Sequence, residues 1–277
     1  GIGEKLTAEL SAAIDAAKTL SELEDLYRPY KPKRRTRATV AKEKGLEPLA
    51  QQLFAQSRDL PEPEELAQAY LDAEKGVETV DDALAGASDI IAETISDDAS
   101  IRKALRALMQ KQAVLRVTAV KGKEEETSPY QTYYDFTQPV AKLQGHQVLA
   151  VNRGEREGFL KAEIELDREQ ALVCVRRAVL IPGGGATAFV RAAAEDAYDR
   201  LIAPSMEREL RSALTDEANE GAIHNFALNL RPLLMQPPVR GRVTMGLDPG
   251  YSHGCKVAVV DATGKVLDTA VVYPTFS

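Results

Sequence analysis

The sequence predicts a mainly α chain: a multi-helix N-terminal and central region, followed by the first strands of an α/β-type domain. Three observations predict it. Apolar residues recur at helical spacing between Pro and Gly breaks from residue 7 to residue 235. Only one segment in that span, Phe159–Leu166 (FLKAEIEL), alternates apolar and charged residues as a strand does. At Arg240 the composition changes, and three β-rich segments follow.

The helical part is read from its stops. Residues 7 to 28 carry Thr7 as a cap, then Leu10, Ile14, Ala17 and Leu20 at helical spacing, with Ser21 and Glu24 as a second capping pattern. Pro29 and Pro32 end that helix and favour an extended segment. Helix resumes near Thr39, and Gly45 and Pro48 separate it from a helix through Leu49, Leu53 and Phe54. Beyond Pro61 and Pro63, helices are expected over Glu64–Ala73, Val80–Ser96 and Asp98–Ala113. In the last, Ile101, Leu105 and Leu108 line one face and Arg102, Lys103 and Arg106 the other. Lys121–Thr127 (KGKEEET) reads as a solvated loop. Tyr130, Tyr133, Tyr134 and Phe136 form an aromatic knot, which anchors a core more readily than it stacks on bases. A helix over Asp167–Val179 follows. Gly183, Gly184 and Gly185 precede a helix near Ala188. They lack the Walker lysine and any G-x-G-x-x-G spacing, so a hinge is expected rather than a phosphate cradle. One or two long helices, with Pro204 at a helix start, run from Thr187 to Met235.

After residue 240, Val243–Leu247, Lys256–Asp261 and Val266–Tyr273 form an antiparallel meander joined by turns at Asp248–Gly254 and Asp261–Gly264. Three strands with no helix over their apolar faces are poorly stable alone, so the expectation is that the chain stops inside this domain. The expected organisation is 1–120, an N-terminal helical region whose start is missing; 121–239, a central helical region with a short strand near 159–166; and 240–277, the opening of the β-rich domain.

Composition narrows the function. The two cysteines, Cys174 and Cys255, form neither a disulfide framework nor a metal pair, and a reducing, cytoplasmic setting is expected. His146, His224 and His253 stand singly, so no metal site and no cofactor is expected. No run approaches the roughly 20 apolar residues of a membrane span. The net charge of −7 hides a strong segregation. Arg28, Lys31, Lys33, Arg34, Arg35, Arg37, Lys42 and Lys44 stand against Glu43 alone in one segment, whereas Glu62–Ser100 holds twelve acids and one base, Lys75. Either the basic strip faces phosphate from an acidic body, or the two segments pack together. The candidate nucleic-acid-binding residues are Arg28, Lys31, Lys33, Arg34, Arg35 and Arg37.

The order of several motifs resembles the Tex family of bacterial transcription accessory proteins. They are Leu23–Thr39 (LEDLYRPYKPKRRTRAT), Lys44–Ala50 (KGLEPLA), Tyr133–Phe136 (YYDF), Arg153–Glu155 (RGE), Arg200–Leu210 (RLIAPSMEREL) and the Gly246–Asp261 block. The resemblance implies that the closing strands open an incomplete YqgF-type, RNase H-like domain. It further implies that helix-hairpin-helix elements and an OB-type RNA-binding domain lie beyond it. Asp248 then occupies the position of the first metal-holding acid of RNase H-like nucleases, in a family whose domain is generally regarded as inactive. The expected function is a non-enzymatic, nucleic-acid-associated transcription scaffold with RNA or DNA, and the transcription machinery, as partners and no membrane partner. The alternatives are a metal-dependent nuclease or resolvase-like enzyme built around Asp248, and a protein-interaction array without nucleic-acid contact.

Overall fold

A computed structural model describes residues 7–31, 34–237, 241–250 and 252–273. The chain divides into two compact units, Gly1–Glu220 and Gly221–Ser277, and each is described by itself.

In the first unit, the span from 7 to 28 is two helices rather than one. They are α1 (Ala8–Ala16), capped by Thr7, and α2 (Leu20–Tyr27), capped by Thr19 Oγ1 accepting from Glu22 N at 3.2 Å. Ala17 is extended (ψ 129°), which breaks the ladder and moves the second cap from Ser21 to Thr19. A 3₁₀ turn, Arg28–Tyr30, continues α2. Then come α3 (Arg37–Glu43), α4 (Glu47–Ala55) and α5 (Pro63–Gln68), the last shorter than the expected 64–73 because the chain turns at Ala69. At the centre lies α6 (Val80–Ser96), started by a Thr79–Asp82 capping box. Its Ala83, Ala87, Ile90, Ile91 and Ile95 are buried, and α3, α4, α5 and α10 pack around it. α3 can lie close because the facing residues are small. A Cβ on Gly86 would stand 3.2 Å from Ala41 Cβ and collide with the Leu46 side chain.

α7 (Ala99–Gln112) leads directly into β1 (Val114–Ala119), which the sequence reading did not predict. β1 is the middle strand of an antiparallel sheet, order β2-β1-β3, with β2 (Asp135–Pro139) and β3 (Leu160–Glu165) on its flanks. Val117 pairs with Phe136 on one side and Ala162 on the other. The expected single strand is therefore corrected to a three-stranded sheet, whose middle strand β1 lies before residue 120 and whose outer strands lie after it. The expected strand at 159–166 is its edge, stabilised by partners distant in sequence. α8 (Gly145–Arg156), also unpredicted and carrying two glycines, packs on this sheet. The aromatic knot is core: Tyr130 is buried, and Tyr133 meets Phe136 edge-on at 5.2 Å between centroids.

α9 (Arg168–Val179) and α10 (Thr187–Asp196) complete the bundle. The glycine triplet between them is not a hinge. Gly185 N donates to Ser57 O at 3.2 Å, and a Cβ on Gly184 would sit 2.7 Å from Gln56 O. These glycines let one backbone lie against another. Pro204 stands at the start of α11 (Ala203–Leu234) as expected, although no loop separates this helix from the one before. α10 passes through a π-helical segment, Ala197–Ile202, into α11, because Pro204 has no N–H to offer the α-helical ladder and the preceding turn re-spaces.

In the second unit the expected meander is present, as β4 (Thr244–Asp248), β5 (Cys255–Val260) and β6 (Val266–Val272) in order β4-β5-β6. Met245, Leu247, Leu267 and Val271 remain exposed. No helix among the described residues is long and apolar enough to cross a membrane.

Candidate nucleic-acid interface

The basic segment is displayed by the way α3 starts and docks. Thr36 caps α3, its Oγ1 accepting from Thr39 N at 3.0 Å and donating to Glu93 Oε2 on α6 at 2.9 Å. That bond fixes the helix start to the bundle. Ala38 and Ala41 then face α6 and are buried, which turns Arg37 outward. Arg34 and Arg35 precede the cap and are also exposed. Arg35 meets Glu43 at 3.1 Å within the same segment, with the Arg35 side chain 73% exposed, a geometry that contributes little and leaves the guanidinium open to exchange partners. Lys31 is exposed, and Lys33 lies outside the described residues.

Three basic residues of the strip are less free than the sequence suggests. Lys44 Nζ donates to Gly76 O at 2.8 Å, and Lys42 lies 3.7 Å from Glu47. Arg28 is half-buried. Burial pushes its guanidinium below the usual arginine range, and neighbouring Arg102 adds to this, while Asp97, Asp25 and Glu209 work the other way.

Arg28 borders a buried ionic network that the sequence reading missed. Asp25, 3% exposed, accepts from Arg102 Nε at 2.7 Å and Arg106 Nη2 at 2.6 Å. Glu209 accepts from the same two arginines at 3.1 and 2.5 Å, and Ser205 takes a further Arg102 bond at 3.1 Å. The network ties α2, α7 and α11 together. The polar face expected for α7 is there, but it is not open to solvent at Arg102, which is 1% exposed because α2 and α11 cover that side. Burial alone would raise the Glu209 carboxyl, but the hydrogen bond and charge of Arg106, then Arg102, hold it below the ordinary carboxylate range. Asp25 is the only buried residue of α1 and α2 together. The buried link between this N-terminal hairpin and α7 is therefore an ionic one. The signal available in sequence was an acid inside LEDLY and an acid inside SMEREL, each on a helix whose polar side had no assigned partner.

Asp89, one of the acids of residues 62–98, is paired with Arg200 at 2.9 Å, and Arg200 also meets Asp196 at 2.6 Å. Burial raises the Asp89 carboxyl, with Arg200 and then Arg37 opposing.

In the second unit, Asp248 is exposed at the end of β4, in register with Lys256. Asp261 accepts from Thr263 N at 2.8 Å and Lys265 N at 3.0 Å, which makes it a turn former. Among the described residues no group of three or more His, Cys, Asp or Glu is placed to hold a metal.

Comparison with known proteins decides the family. The model of the Tex central region matches residues 59–226, and that of the Tex protein YqgF-like domain matches residues 242–277. The chain belongs to the Tex family. Protein tex of Bordetella pertussis is 40% identical over 290 residues, covering 98% of the chain. Transcriptional accessory protein Tex of Neisseria gonorrhoeae is 38% identical over 279 residues, covering 97%. The human S1 RNA-binding domain-containing protein 1 is 33% identical over 285 residues, again covering 97%. The chain spans 36% of the length of each of the two bacterial relatives and 28% of the human one. In this Tex chain the matched central region contains Arg102, Arg106 and Glu209 of the ionic network. Asp25 and the basic segment precede it.

Proposed function

We propose that this chain is a nucleic-acid-binding scaffold that acts in transcription without catalysis of its own, and that Lys31, Arg34, Arg35 and Arg37 contact the phosphate backbone. One observation carries the reading: α3 buries its alanine side against α6 and leaves three arginines at its start in solvent, outside the ionic network. Guanidinium forks suit bidentate phosphate contact, and each neutralised phosphate releases counterions. The names of the relatives, a transcriptional accessory protein and an S1 RNA-binding domain-containing protein, support the same class of partner. With Arg28 half-buried, it shapes the edge of the surface rather than reaching outward.

The test replaces Arg34, Arg35 and Arg37 together by Glu and measures binding of RNA and DNA by mobility shift at low salt. Loss of at least tenfold in affinity, with a flatter dependence of log K on log salt, is expected. Unchanged affinity and slope reject the segment as a contact surface.

A further inference from the structure

We propose that a cleft in the first unit, separate from the basic segment, binds a linear aliphatic diamine or polyamine. The cleft has a volume of about 800 Å³ and opens where the end of α7, the three-stranded sheet and the start of α11 meet. That volume falls within the range of small-molecule sites, roughly 300–1,000 Å³. Met109, Val114, Leu166 and Met206 give it apolar wall, and Glu165, Asp167 and Glu207 give it three carboxylates. Among the described residues no Lys, Arg or His lines it. Asp167 and Glu207 pair with no cation among the described residues, and Glu165 has only Arg116, at 3.8 Å with both side chains more than half exposed. Three carboxylates against one distant guanidinium leave a charge of about −2 in the cleft, a field that draws in cations. Two of these acids are anchored by backbone. Glu207 Oε1 accepts from Ile164 N on β3 at 3.0 Å, and Asp167 Oδ1 accepts from Gln170 N at 3.1 Å as the cap of α9. The second oxygen of each has no hydrogen bond among the described residues.

Tyr198 points to a ligand independently of these charges. It is 7% exposed, it lines the cleft from the π-helical segment, and its hydroxyl makes no hydrogen bond among the described residues. A buried tyrosine hydroxyl ordinarily has a partner. The fully enclosed side-chain polar atoms without one are, among the described residues, Arg102 Nη1 and Arg176 Nε. The Tyr198 hydroxyl therefore meets open space, and the space that Tyr198 lines is the cleft. Burial raises its phenol, the Asp199 charge adds to this, Arg168 opposes and Asp167 adds again, so it stands as a neutral hydroxyl near negative charge. π-Helical turns recur at functional sites. An alkylammonium has three donors and no acceptor, so it needs the acceptors found here: carboxylates and a hydroxyl. Two ammonium groups match the charge, and the methylenes between them cover the apolar wall, where methionines adapt to an unbranched chain. A bare divalent cation leaves that wall uncovered, and a single amine leaves one charge unmatched.

The experiment is isothermal titration calorimetry at low salt on the nuclease-treated full chain, with putrescine, spermidine, n-butylamine and Mg²⁺ as probes. One saturable site is expected for putrescine and spermidine, with n-butylamine and Mg²⁺ weaker by about tenfold or more. Asp167→Asn/Glu207→Gln removes two charges and keeps both backbone hydrogen bonds, since an amide oxygen accepts as a carboxylate does. It is expected to lose about tenfold or more in putrescine affinity. Tyr198→Phe removes the hydroxyl alone and is expected to lose about threefold or more. Glu64→Gln/Glu65→Gln on α5, an equal charge change outside the cleft, is expected to bind as wild type does. Absence of a saturable site in the wild type overturns the proposal without any variant. Mg²⁺ as tight as putrescine overturns it by showing that charge suffices, and n-butylamine as tight as putrescine overturns it by showing that one ammonium, such as a lysine side chain offers, is all the cleft reads. Unchanged affinity in either cleft variant, or an equal loss in the α5 control, overturns it as well.

Discussion

Arg34, Arg35 and Arg37 on one side, and Arg102 and Arg106 on the other, are the same residue type in two opposite settings. The first three sit at the start of α3 in solvent, and one of them shares an exposed pair with Glu43. The other two lie between α2, α7 and α11, where Asp25 and Glu209 each receive both of them. The exposed guanidiniums contribute little to stability and stay open to solvent. The buried ones hold three helices together, and breaking one partner leaves a charge inside the protein. A count of positive charge in sequence cannot separate these two uses.

The sharpest break of the comparison is Asp25→Ala. It leaves two arginines short of their shared acid, one of them 1% exposed. A loss of roughly 3–5 kcal/mol is expected in urea denaturation. Proteolysis should then begin at the α1–α2 hairpin, whose buried contact with the bundle has gone. A loss under 1 kcal/mol would mean that apolar packing, not charge, docks the hairpin.

A smaller effect is expected at Glu209, where the sign follows from linkage. Its folded value lies below the ordinary 4.5, so the unfolded chain binds the proton more readily. The stabilisation is fully present above about pH 4.5 and fades as pH falls through the folded value. Thermal melts across pH 3–7 should show Glu209→Gln less stable near neutrality and less sensitive to acid than wild type. Parallel curves for the two proteins would contradict the assignment.

The smallest effect is expected from Arg35→Ala, which removes only the exposed pair with Glu43. A change within about 0.5 kcal/mol in the same urea measurement is the expected result. A larger loss would place Arg35 with Arg102 rather than with its neighbours.

The helices around α6 and α7 were legible because each carries its own cap and apolar stripe, as Thr79–Asp82 and Ile101–Leu105 show. The meander after residue 240 was legible because its strands are local neighbours joined by short turns. β1 was not. Its six residues follow α7 directly and acquire their strand character from β2 and from β3, which lies beyond α8. The glycine triplet was misread for a related reason. What Gly184 meets is Gln56, more than a hundred residues earlier in the chain, and no local pattern announces that approach. Within the candidate site, the cationic strip was visible as composition. The roles of Asp25 and Glu209 needed the packing of three helices to appear.

By itself, the sequence determined the mainly helical character, the change to β structure after residue 240, the family and the concentration of positive charge at Arg28–Lys44. All of these follow from residue order at short range or from motifs read along the chain. Only the tertiary structure decided which charges are shared and which are displayed. Burial of a guanidinium depends on what lies opposite it. Asp25 and Glu209 reach Arg102 only because helices far apart in sequence pack against one another, while the same packing of α3 on α6 turns Arg34, Arg35 and Arg37 toward solvent.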